Sequence, residues 1–284
     1  MDVISSNRSI LRLFIIIVIG SLFCLSSQCS PRSQDPAVIE KHIIITSDTI
    51  LGSILSSLLP GDRYRVESII PPGQCPGHYD IKLSDLERIK KAELIIYFKG
   101  MSFMAKIPSE SFKTLVIDTE GNNCMTPDYY IYSMTIIADN ISRIFPDDAR
   151  YIWKKKENEI KRLKEETDTL KRKIQEAGFS GKKIIASSMQ RQPLEWMGFT
   201  VVADYGRPEA ITAKDAINLI KIGKRNKVVL VVDNLQSGPD TGRAIAESLD
   251  VPHVVLTNFP SEKGYIHTLK ENVEIILKAL KYNE

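Results

Sequence analysis

Cys75 and His78 stand three residues apart in the loop PPGQCPGHYD, residues 71–80. A thiolate and an imidazole at that spacing can ligate one soft or borderline transition-metal ion, and prolines and glycines on either side would hold them in a rigid loop. Cys124 is the other cysteine in the folded part, so a Cys75–Cys124 disulfide is the competing role in an oxidising compartment. Asp128 offers an oxygen ligand, or else caps the helix that runs through YYIYSMTIIADNI. Asp80 is the carboxylate best placed in sequence to orient His78. Three further strand-end loops, SSMQRQ (187–192), YGRPE (205–209) and DNLQSGPD (233–240), are distinctive, and Ser188, Met189, Gln190, Asn234 and Gln236, with Asp80 and Thr257, are the cleft candidates. Met189 also reads as a core residue at a helix start, and Asn234 as a helix cap. His42, His253 and His267 lie at strand starts or in a helix and read as structural.

The elements that must position these side chains follow from hydrophobic periodicity. Short β-branched runs at 42–46, 65–70, 93–98 and 114–118 alternate with helical stretches at 48–59 and 82–92. The same grammar returns with strands at 182–187, 199–204, 227–233 and 253–257, and helices near 190–197, 212–223, 239–249 and 264–281. Alternation of this kind predicts parallel sheets covered by helices, an α/β fold in two lobes. Thr212 and Asp215 read as a capping box opening one helix. From Pro146 to Gly178 the chain is charged and helix-forming, with apolar residues at 153, 160, 163, 170, 174 and 177 on one narrow stripe. A helix of about 28 residues would span ~42 Å, the length of a two-lobed protein, and is expected to join the lobes. The expected organisation is a lobe at 41–145, a linking helix at 146–179 and a second lobe at 180–284.

Arg8 and Arg12 precede an apolar run from Leu13 to Leu25, which ends in SSQCS. That is the layout of an export signal over residues 1–29, followed by a polar tether over 30–40. Cys29 is the expected lipidation site; plain cleavage, or an uncleaved anchor from Ile10, are the alternatives. The expected location is therefore extracytoplasmic and membrane-tethered, periplasmic or at the cell surface. With 38 basic against 35 acidic residues, nothing points to a nucleic-acid partner. No GxSxG elbow, Walker phosphate loop, HExxH or Gly-rich dinucleotide fingerprint is present, so the chain does not read as an enzyme.

Two α/β lobes joined by one long helix behind an export signal resemble the zinc and manganese solute receptors of ABC importers. The segment SIIPPGQCPGHYDIKLSDLERIKKAELIIYFKG (68–100) is similar to the family's first-lobe segment, whose loop histidine is the first metal ligand, and His78 falls on it. The resemblance implies a monomeric receptor that captures a divalent transition metal, zinc or manganese, and delivers it to a permease and its ATPase subunit. Other sites depart from the family pattern. Asp128 stands where a second histidine is expected, 186–192 holds no histidine, and Thr257 and Asn258 occupy the place of the last carboxylate. An organic metal chelate of the cobalamin or siderophore type is the alternative cargo, with Tyr129, Tyr130, Trp196 and Tyr205 as candidates to face it.

Overall fold

The computed structural model describes residues 41–107 and 112–281; the export segment, Cys29 and the tether lie outside them. The isoleucine-rich strand β1 (His42–Thr46) pairs in parallel with β2 (Tyr64–Ser68) on one side and β3 (Leu94–Phe98) on the other. β4 (Thr114–Ile117) completes a four-stranded sheet of order β2-β1-β3-β4. Helices α1 (Thr49–Leu58) and α2 (Leu83–Lys90) supply the crossovers, as parallel pairing requires.

The second lobe repeats the plan. β5 (Lys183–Ser187), β6 (Thr200–Tyr205), β7 (Val231–Asn234) and β8 (His253–Leu256) form a parallel sheet of order β6-β5-β7-β8. Between the sheets in sequence lie α3 (Pro127–Ile144) and the 28-residue α4 (Ala149–Glu176). The second lobe adds α5 (Arg191–Trp196), α6 (Ala213–Asn226), α7 (Arg243–Leu249) and α8 (Tyr265–Lys281). One large core, containing Ile44, Leu55, Ile137, Leu163, Ile174, Ile184 and Leu277, runs through both lobes along α4, with a smaller cluster on the outer face of each sheet.

Several expectations shift by a residue or a few. The buried stripe of α4 is Ile152, Leu163, Thr167, Leu170 and Ile174, while Trp153 is half exposed. Ile152 and Leu163 are eleven residues apart, close to three whole turns, which puts Ile152 and not its neighbour over the core. β7 begins at Val231 rather than at 227, because Lys227 caps α6 in the left-handed conformation and residues 228–230 lead into the sheet. Asp128 does not cap α3; Thr126 is the N-cap, Pro127 opens the first turn, and Asp128 follows in that turn. The capping box of Thr212 and Asp215 forms at the start of α6.

Asp48 shows how a strand end is tied down beside the cleft. Its wholly buried carboxylate caps α1, accepting from the Ile50 and Leu51 backbone N–H groups and from Ser47 Oγ at 2.6 Å. Burial outweighs these donors and pushes the Asp48 carboxyl up to about 6. A folded-state value above the unfolded one means that the contribution to stability is full below the unfolded value near 4. It is lost as pH rises through about 6. Asp48→Asn keeps a capping oxygen and cannot ionise. In urea melts between pH 4 and 7 it should gain on the wild type as pH rises, by on the order of 2–3 kcal/mol in total. Parallel pH profiles for the two proteins would show that the carboxyl does not titrate in that window.

Candidate ligand site in the interlobe cleft

Strand order reverses at matching places in the two sheets, between β1 and β3 and between β5 and β7. Crevices beyond the carboxyl ends of strands at such points are where open α/β sheets hold ligands. Met101 lies just past β3, and Met189 lies past β5 in the single turn Ser188–Gln190. These two methionines, with Asn258 and Phe259, line both of two cavities of about 260 and 230 Å³. The first is completed by Cys75, Gly77, Ser102, Arg207, Asn234 and Gln236, the second by Ile50, Phe98, Asn122, Asn123 and Cys124. A larger cavity, about 680 Å³, lies between α1, α4 and the loop before α8. Its walls carry serines, Glu159 and Arg162 but neither thiol nor imidazole, so the chemistry-bearing residues belong to the smaller pair.

The two edge loops meet across the cleft. The loop after β2 forms a single turn, Pro76–His78, and Arg207 follows β6. Arg207 Nη1 stands 3.3 Å from His78 Nε2. A guanidinium has no acceptor, so in this contact Nε2 is the accepting nitrogen. Gly77 makes this approach possible, since a Cβ there would collide with the guanidinium. Among the described residues Arg207 forms no ion pair.

Amide side chains latch the lobes at the centre. Asn123 Nδ2 donates to the Met189 carbonyl at 2.7 Å and to Asn258 Oδ1 at 2.8 Å, and the Asn123 backbone N–H donates to Gln192 Oε1 at 2.6 Å. Gln192 Nε2 returns a bond to Asn122 Oδ1. Tyr130 stacks on Tyr265 at 3.7 Å between ring centres, and both bond Ser53 Oγ.

The residues singled out from sequence divide clearly. Cys75, Met189, Asn234 and Gln236 line the cleft. His78 sits at its mouth, exposed, with Nε2 facing Arg207. Gln190 is buried beneath the cleft, where Nε2 donates to Asn234 Oδ1 at 2.9 Å. Asn234 Nδ2 then donates to Ser237 Oγ, so Asn234 shapes its own turn and does not cap α7, which starts at Arg243. Thr257 accepts from Gln236 Nε2 at 2.8 Å and lies behind the cleft wall. Ser188 is exposed at the turn and lines neither cavity.

The remaining candidates are placed away from a shared site. Asp80 pairs with Lys106 Nζ at 2.8 Å, which holds its carboxyl below the usual range, and the partner of the His78 ring is Arg207 instead. Asp128 is exposed on the first turn of α3 and lines neither cavity. Cys75 and Cys124 are not bonded to each other. Cys124 is buried with Sγ 3.3 Å from Ser133 Oγ, and burial pushes its thiol up to about 11, whereas Cys75 lies in the opposite loop of the cleft. Among the described residues no three His, Cys, Asp or Glu side chains converge as a metal site. The aromatic candidates also lie elsewhere: Tyr205 donates to Asp233, Tyr130 stacks on Tyr265, and Lys171 covers Trp196. Sequence reasoning missed Met101, Asn123 and Arg207. For Arg207 the available signal was its place in YGRPE, directly after a strand.

Residues 44–122 match the family model described as zinc-uptake complex component A, periplasmic. The manganese ABC transporter substrate-binding lipoprotein PsaA of Streptococcus pneumoniae is 33% identical over 89 residues, 31% of this chain and 27% of that protein. The matched stretch thus spans about a quarter of that relative's length. Among solved structures, the periplasmic zinc-binding protein TroA of Treponema pallidum superposes with a TM-score of 0.69 at 18% identity, over 85% of this chain and 99% of that one. The laminin-binding protein Lmb of Streptococcus agalactiae gives 0.72 at 16% identity, over 85% of this chain and 100% of its own. Residues 44–122 are thus similar to that family model, and the described chain shares the fold of TroA and Lmb.

Proposed function

We propose that this protein is an extracytoplasmic solute receptor that captures a transition-metal ion between its lobes and hands it to the permease and ATPase of an ABC importer. The observation that carries this reading is the cleft itself. Two matching parallel sheets turn their strand ends toward one another over a continuous helix, and the residues gathered there include a free thiol, Cys75, with His78 at the rim. The relatives add the cargo class, manganese for PsaA and zinc for TroA. The proposal includes a monomeric protein tethered at Cys29 outside the described residues; among those described, no helix is long and apolar enough to cross a membrane.

Thermal melts of chelator-stripped protein with zinc, manganese, nickel, cobalt and iron(II) test the reading. A ligand bound only by the native state adds about 2.7 kcal/mol at a hundredfold excess over Kd, which corresponds to roughly 5–11 °C for a chain of this size. His78→Ala and Cys75→Ser should melt normally without metal and lose part or most of the shift. In cells, Cys29→Ser should leave the membrane fraction. Absence of any shift with these ions, and with copper(I) and silver(I), would remove the receptor reading.

A further inference from the structure

Resting on the metal-receptor reading, we propose that the cargo this cleft favours is a soft, singly charged ion of the cuprous type, ligated by Cys75 Sγ and the thioethers of Met101 and Met189. The three sulfurs come from three loops and both lobes: Cys75 after β2, Met101 after β3 and Met189 after β5. All three residues line the same cavity of about 260 Å³.

The rest of the lining argues in the same direction. Neither cleft cavity is lined by an aspartate, a glutamate or a histidine. Manganese needs hard oxygen ligands, and zinc is held by thiolate, imidazole and carboxylate, whereas thiolate with thioethers selects copper(I). Charge agrees. Arg207 places one positive charge on the cleft wall, and the described residues offer no carboxylate to balance it. Its repulsion is twice as large for a doubly charged ion as for a singly charged one at the same distance. A single Cys75 thiolate neutralises a monovalent cargo completely and a divalent one by half.

The exposure of Met189 fits a ligand better than a packing residue. Its side chain is 42% exposed at the switch point of the second sheet, where an apolar residue gains little from burial. Its neighbour on the chain, Gln190, is fully buried, and its Nε2 donates to Asn234 Oδ1, which ties the turn that presents Met189 from below, while its Oε1 has no partner among the described residues. Cys124 lies in the adjoining cavity but turns its thiol to Ser133, and it is not a member of the donor set.

The test is a metal titration of the whole mature protein under anaerobic, reducing conditions. Copper(I) is delivered from a chromophoric cuprous chelator, silver(I) serves as a redox-stable surrogate, and zinc and manganese are run in parallel. The variants are Met101→Leu, Met189→Leu and their double; leucine keeps the volume of methionine, so the fold should stand. Wild type is expected to take one equivalent of copper(I) or silver(I) in competition with the chelator. Each leucine should weaken that binding about tenfold and the pair about a hundredfold. Equal copper(I) affinity in wild type and double variant overturns the proposal. So does tight zinc or manganese binding with no silver(I) binding, an outcome that leaves the metal-receptor reading in place. Binding of no ion at all sinks both.

Discussion

Arg207→Ala should raise the affinity of the cleft for a divalent cation ten- to a hundredfold. Two effects add. The guanidinium that lies 3.3 Å from His78 Nε2 is removed, so the lone pair an ion would need is released. One positive charge also leaves the wall. At ~6 Å and an effective dielectric of ~40, a value that allows for solvent at this half-exposed site, repulsion of a divalent ion is on the order of 3 kcal/mol. Each 1.4 kcal/mol is a factor of about ten in Kd. The loss of fold stability should be small, because Arg207 makes no ion pair among the described residues and lies on a loop. Gly77→Ala is an independent route to the same displacement, since its Cβ would push the end of a flexible side chain rather than backbone. Isothermal titration with zinc reads both variants. Zinc affinity unchanged in both, in a protein whose wild type binds zinc, would mean that Arg207 swings clear when cargo arrives.

The second large effect concerns stability. Asp233, at the end of β7, is fully buried and accepts three hydrogen bonds. Tyr205 Oη donates to Oδ1 at 2.7 Å, while the Gly242 N–H at 2.8 Å and His253 Nε2 at 2.7 Å donate to Oδ2. The carboxylate therefore ties β6, β7, β8 and the start of α7 together directly behind the cleft wall. It also raises the Tyr205 hydroxyl well above its ordinary pKa, after burial as the leading cause. Asp233→Ala leaves those donors buried and facing a cavity, which should cost about 3–5 kcal/mol, or roughly 6–20 °C in Tm. Asp233→Asn can still accept from one side and should lose less. Urea melts of chelator-stripped protein measure both; a loss below about 1 kcal/mol for the alanine variant would show that the network is not what holds this edge.

The strands were legible because parallel, doubly buried strands are written as short β-branched runs, and HIIIT, ELIIYF and HVVLT are such runs. The long helix was legible for a related reason: between Ala149 and Glu176 only one face is apolar, so the sequence itself marks the side that must be covered. Where the reading slipped, local signals competed at close range. Trp153 is the larger apolar residue, yet Ile152 takes the buried place, because the helical phase set by Leu163, Leu170 and Ile174 outweighs the size of a single side chain. Asp128 looked like a cap, but Thr126 and Pro127 begin the helix before it.

The sequence by itself determined the class of fold and the loop in which Cys75 and His78 lie, since each depends on residues within about thirty positions of one another. Only the tertiary structure decided what those residues face. His78 meets Arg207 across 129 positions, Asn123 meets Asn258 across 135, and Cys75, Met101 and Met189 reach one cavity from three separate loops. Such meetings depend on how two sheets are set over a shared helix, and no periodicity records them. A thiol's role is decided in the same way. Cys75 and Cys124 could have been a disulfide or a pair of ligands on sequence grounds, and the fold turns one into the cleft and the other toward Ser133 in the core.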